Sequence, residues 1–121
     1  MKMSRRVLSV LAVGVALSST VLAHMALSKS LPAKDAVVAS TPAKVQLWFS
    51  QAPDVAVSKL TLTGPSGAVK LGALAADADK SMSAAVEADT PDGAYTVAWQ
   101  AAGDDGHLQK GEFAFSVRRT R

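Results

Sequence analysis

The residues able to do chemistry in this chain are few, and two of them are histidines. The sequence has 2 histidines and no cysteine, so disulfides and thiolate metal sites are both excluded. One histidine closes the run Asp104-Asp105-Gly106-His107. In extended backbone, residues two apart face the same side, so the Asp105 carboxylate and the His107 imidazole can converge on one ion while Gly106 relieves crowding between them. The other histidine, His24, follows Val21-Leu22-Ala23. If the chain is cut after Ala23, His24 offers two nitrogens, its α-amine and its ring Nδ1, which close a chelate on a single metal ion. A free α-amine titrates at about 7.7 to 8.0, so a divalent ion displaces its proton near neutral pH at modest cost. Three nitrogens and one carboxylate oxygen in a roughly square set suit copper(II), which also heads the divalent affinity order. The Asp-Gly-His triplet is short, however, and Asp-Gly is an ordinary turn signal, in which case His107 is a surface residue of that turn. The cleavage point that puts His24 at a chain start is what strengthens the metal reading.

That cleavage point comes from the first 23 residues. Lys2, Arg5 and Arg6 precede an apolar run from Val7 to Leu17, then Ser18, Ser19 and Thr20, with small or aliphatic residues at Val21 and Ala23. A basic start, an apolar stretch too short to cross a bilayer and such a small-residue site describe a secretory signal, the alternative being a retained membrane anchor. Residues 1–23 are therefore expected to be the signal and 24–121 the mature domain, exported and not embedded in the membrane. The net charge of +3, from 13 Lys plus Arg against 10 Asp plus Glu, resides in those three leader residues. The remainder is neutral, without a basic stripe interleaved with aromatics, so nucleic acid is excluded as a partner.

The elements that must carry the donors are strands. Apolar residues recur every second position at Val45, Leu47 and Phe49, at Leu60 and Leu62, at Tyr95, Val97 and Trp99, and at Phe113, Phe115 and Val117. Gly64-Pro65-Ser66-Gly67 and Pro91-Asp92-Gly93 supply turns. Shorter strands are expected at Met25 to Leu31, Ala68 to Leu71 and Met82 to Val86. About seven strands spaced near ten residues predict an all-β Greek-key sandwich or barrel in one small domain. The segment Ala73 to Ala78 is expected to form one short helical turn, and Arg118 to Arg121 a solvated end.

Several stretches together resemble the CopC family of periplasmic copper-binding proteins, over essentially the whole mature length. They are His24 with Ser30-Leu31-Pro32-Ala33, the run Val45 to Ser50, the run Gly93 to Trp99, and Asp105-Gly106-His107 followed by Gly111-Glu112-Phe113-Ala114-Phe115. The resemblance implies a seven-stranded Ig-like or cupredoxin-like sandwich and one copper(II) per chain, held by His24 through amine and ring, by Asp105 and by His107. It further implies a periplasmic role in copper sequestration, transport or resistance, with hand-over to an inner-membrane copper transporter of the CopD type. Three features depart from the family pattern. Met25 and Met82 stand apart from any methionine cluster, which argues against a separate copper(I) site, and Met82 at strand spacing reads as core. Gln51 replaces a carboxylate that family members carry after Phe-Ser, leaving an uncharged oxygen able to accept an imidazole N–H. Leu108 stands where proline is common and reads as a neutral loop change.

No Ser/His/Asp or paired-carboxylate arrangement is spaced for catalysis, so an enzyme is not expected. Asp77-Ala78-Asp79 lacks the glycine and glutamate of a calcium loop and reads as solvated. Trp48 and Trp99 read as sandwich packing. Two other functions stay open: a metal-free adaptor sandwich, and a copper monooxygenase using an N-terminal histidine, against which the short chain and a fourth ligand from Asp105 both argue.

Overall fold

The computed structural model describes residues 25–120. The expected signal at 1–23, the donor His24 and the last residue Arg121 lie outside the described residues. The strands are β1 (Leu27–Leu31), β2 (Val37–Val38), β3 (Lys44–Phe49), β4 (Lys59–Gly64), β5 (Gly67–Val69), β6 (Ala75–Asp77), β7 (Ser81–Ala85), β8 (Gly93–Ala102) and β9 (Leu108–Val117). One 3-10 turn at Val55–Val57 is capped by Asp54, whose side chain accepts the Ala56 N–H. The strands form two sheets, in the orders β1-β3-β7-β6 and β2-β9-β8-β4-β5. Pairing is antiparallel throughout except that β2 runs parallel to the far end of β9.

The all-β sandwich stands, and the expected strands all form. The two that alternation missed are β2 and β6, which are two and three residues long and so too short to show a period. β6 also corrects the expectation of a helical turn over Ala73 to Ala78. Ala75, Ala76 and Asp77 pair with Ser83, Met82 and Ser81 of β7, and ladder hydrogen bonds outweigh the modest helix preference of alanine in so short a run.

The core lies between the two inner faces. The first sheet contributes Val45, Leu47, Phe49 and Met82, and the second Leu62, Tyr95, Val97, Phe115 and Val117, all at most 3% exposed. Met82 is therefore core, as its spacing predicts. Each fully buried large apolar side chain contributes about 1.5–3 kcal/mol. Tyr95 pairs with Phe115 across β8 and β9 and stacks on it at 5.4 Å, while its hydroxyl donates to the Pro91 carbonyl. The tyrosine ring fills the space beside Gly64, where a Cβ would stand within 2.3 Å of it.

Trp99 packs inward, edge-on to Phe49 at 5.3 Å, over the bare backbone of Gly111, whose Cβ would meet the indole at 2.6 Å. Trp48 departs from the packing expected of it. It alternates with Leu47 and Phe49, so it faces outward, where the Lys29 ammonium covers its ring at 4.5 Å.

The C-terminal end is likewise more tightly held than a solvated tail. Arg118 N–H donates to the Val38 carbonyl at 2.8 Å. Arg119 pairs with Asp92 at 2.9 Å and donates to the Thr90 carbonyl at 2.8 Å. These partners are remote in sequence, so composition gave no sign of them.

Candidate metal centre

Strands β8 and β9 are paired without interruption from Gly93↔Val117 to Ala102↔Leu108, and this hairpin presents Gly103 to His107 at its tip. Asp104 and Asp105 form the turn, closed by the Gly106 N–H donating to the Gly103 carbonyl at 3.1 Å. Gly106 then takes a φ of +71°, the left-handed conformation that glycine adopts without cost and that reverses the chain into β9.

Asp105 and His107 do meet, by a different route from the extended backbone that sequence spacing suggests. The Asp105 Oδ1 accepts the His107 backbone N–H at 3.1 Å, an Asx turn, and Oδ2 lies 3.6 Å from His107 Nδ1. That gap is too long for a direct N–H···O bond. It is short enough for one ion, at the ~2.0–2.2 Å typical of nitrogen and oxygen donors to a first-row divalent metal, to touch both atoms. The pair therefore fits a metal by its donor types and spacing. The His107 side chain is 58% exposed and that of Asp105 23%, so an ion reaches them from solvent.

Among the described residues, no group of three His, Cys, Asp or Glu is placed to hold a metal. The hairpin tip thus brings together two of the three residues of the expected set, and the third, His24, is outside the described residues. Among the described residues the methionines offer no thioether at the surface: Met25 is 3% exposed and Met82 0%. Gln51 rests on the loop entrance, its Oε1 2.5 Å from the point where a Gly103 Cβ would stand. The family resemblance singled out Gln51 but not its neighbours in the same segment. Asp54 N–H donates to the Ala102 carbonyl at 2.8 Å, and Ser50 N–H to the Ala26 carbonyl at 2.8 Å. These are backbone contacts, which no residue-type pattern reveals.

A CopC domain matches residues 27–118. The chain belongs to the CopC family. Copper resistance protein C of Escherichia coli is 38% identical over 117 residues, covering 89% of this chain and 90% of that protein. Protein YobA of Escherichia coli strain K12 is 34% identical over 102 residues, 82% of each chain. Among solved structures, PcoC, a methionine-rich copper resistance protein from Escherichia coli, superposes with a TM-score of 0.71 at 36% identity, covering 79% of this chain and 100% of that one. CopC from Methylosinus trichosporium OB3b gives a TM-score of 0.73 over 81% of this chain and 97% of that one, at 23% identity, and speaks for the shared fold. CopC membership places the chain with binding proteins rather than enzymes. No helix among the described residues is long and apolar enough to cross a membrane.

Proposed function

We propose that this CopC-family protein is a periplasmic copper(II) carrier. One ion per chain is bound by the amine and ring of His24, by the Asp105 carboxylate and by the His107 imidazole, after removal of residues 1–23. The observation that carries this reading is the Asx turn at the hairpin tip, which brings a carboxylate oxygen and an imidazole nitrogen to 3.6 Å of one another on an exposed loop. The copper-resistance names of the relatives support the choice of metal. His24 directly precedes Met25 in the sequence, and the Met25 side chain is buried in the core. A four-donor set of this kind leaves copper(II) saturated and redox-quiet, which suits sequestration and delivery to an inner-membrane transporter of the CopD type.

The test is a copper(II) titration of protein exported through its own leader, with mass spectrometry of the N-terminus and electron paramagnetic resonance of the bound ion. One tight equivalent with a nitrogen-rich tetragonal signal is expected, weakened when one residue is added before His24, since an amide there no longer chelates as an amine does. Weak or absent binding by protein proven to begin at His24 overturns the reading.

A further inference from the structure

The chain enters its first strand irregularly. β1 pairs with β3 as Leu27↔Phe49 and then Lys29↔Trp48, so two steps along β1 match one along β3 and Ser28 is the extra residue. A bulge of this kind bends its strand and re-aims whatever precedes it. The Ser28 hydroxyl donates to the Trp48 carbonyl at 3.0 Å, giving that group a partner beside the broken ladder. Just upstream, a single residue ties the chain down again. Ser50 N–H donates to the Ala26 carbonyl at 2.8 Å, and Ala26 N–H donates to the Ser50 hydroxyl oxygen at 2.9 Å. Ser50 lies just past the end of β3, and there its side chain supplies the acceptor that a continuing ladder would take from backbone.

The same short segment reaches the other half of the candidate centre. Gln51 sits against Gly103, and Asp54 N–H bonds to the Ala102 carbonyl at 2.8 Å. Residues 50–54 therefore contact both the start of the described chain and the base of the loop that carries Asp105 and His107.

We propose that Ser50 is a positioning residue for the copper centre. By gripping both backbone groups of Ala26, it fixes the chain two residues from His24 against the segment that supports the hairpin tip. This rests on the assignment of His24, Asp105 and His107 as the ligands. Ser50 and Ala26 are both exposed, so removing the hydroxyl hands the Ala26 N–H to water and costs the fold little. The cost falls instead on copper binding, which must then order a looser chain start.

The experiment compares wild type, Ser50→Ala and Ser50→Thr, each shown by mass spectrometry to begin at His24. The readouts are copper(II) Kd by competition with a chelator, the paramagnetic resonance spectrum, and the Tm of the metal-free protein. Ser50→Ala is expected to bind about fivefold more weakly, the scale of one neutral hydrogen bond, with an altered or broadened spectrum and an unchanged metal-free Tm. Ser50→Thr, which keeps the hydroxyl, is expected to restore both. A Ser50→Ala protein with wild-type Kd and spectrum overturns this inference while leaving the ligand assignment standing. A wild type that fails to bind tightly overturns the ligand assignment itself, and this inference with it. If Ser50→Ala does not fold, hydrogen exchange at the Ala26 amide of wild type decides: protection supports the tie, and exchange at the free-peptide rate overturns it.

Discussion

Gly106 offers a clean measure of how much the hairpin tip depends on backbone conformation. Its φ is +71°, and no heavy atom lies within 4 Å of the place where a Cβ would stand. An added methyl group therefore meets nothing, and the whole effect of Gly106→Ala is conformational. Holding alanine in the left-handed region costs about 1–2 kcal/mol. Roughly 0.4–1 kcal/mol is recovered because alanine restricts the unfolded chain more than glycine does. The net loss is about 1 kcal/mol, or about 4–8 °C in Tm for a domain of this size. If the loop relaxes to escape the strain, the loss moves from the fold to the donor pair. Since 1.4 kcal/mol is about tenfold in affinity, copper binding then weakens by about fivefold. Thermal unfolding of the metal-free protein and a copper titration, run side by side on Gly106→Ala, Gly106→Asn and Gly106→Val, separate the two outcomes. Asparagine tolerates this region best and valine worst, so the damage should rise in the order Asn, Ala, Val. An alanine variant matching wild type in both measurements, or an asparagine variant worse than alanine, would refute the argument.

Two further glycines should behave oppositely although both are crowded. At Gly111 a Cβ would meet the Trp99 indole at 2.6 Å, and that ring is packed on Phe49, so Gly111→Ala should cost about 1–3 kcal/mol in urea unfolding, with altered tryptophan fluorescence. At Gly103 the obstacle is the amide oxygen at the tip of the flexible Gln51 side chain, and Gly103→Ala should change stability by less than about 0.5 kcal/mol. Met82→Ala should cost about 2–5 kcal/mol by the same assay, because the side chain is fully buried between the sheets. Arg119→Ala should cost no more than about 1 kcal/mol, and less at high salt, because the Arg119 and Asp92 side chains are 42% and 40% exposed.

What could be read in the sequence followed from periodicity and donor type. Val45, Leu47 and Phe49 alternate because one face of β3 is buried, and the same logic located β8 and β9. It failed at β2, where Val37 is 64% exposed and a two-residue strand has no second period to display. It failed at β6 because three small residues carry no amphipathic contrast. It misplaced Trp48, which follows the outward phase of its strand and finds Lys29 there. At the centre, the Asp105 and His107 pairing was visible as a spacing, but its cause was not. The pair converges through an Asx turn and a left-handed glycine rather than through strand alternation. The Ser50 tie to Ala26 and the Arg119 anchor to Asp92 join residues 24 and 27 positions apart, which no local pattern encodes.

The direction of β9 has a practical consequence. The strand leaves the hairpin tip at Leu108 and runs ten residues to Val117, roughly 30 Å at the usual rise of a strand. Its far end is clamped by β2 and by Arg119, so the last described residues, up to Thr120, lie at the opposite end of the β8–β9 hairpin from Asp105 and His107. A surface tether, fluorophore or fused reporter attached there would leave the hairpin tip free to meet another macromolecule head-on. The amino terminus allows no such freedom if its first residue is itself a ligand.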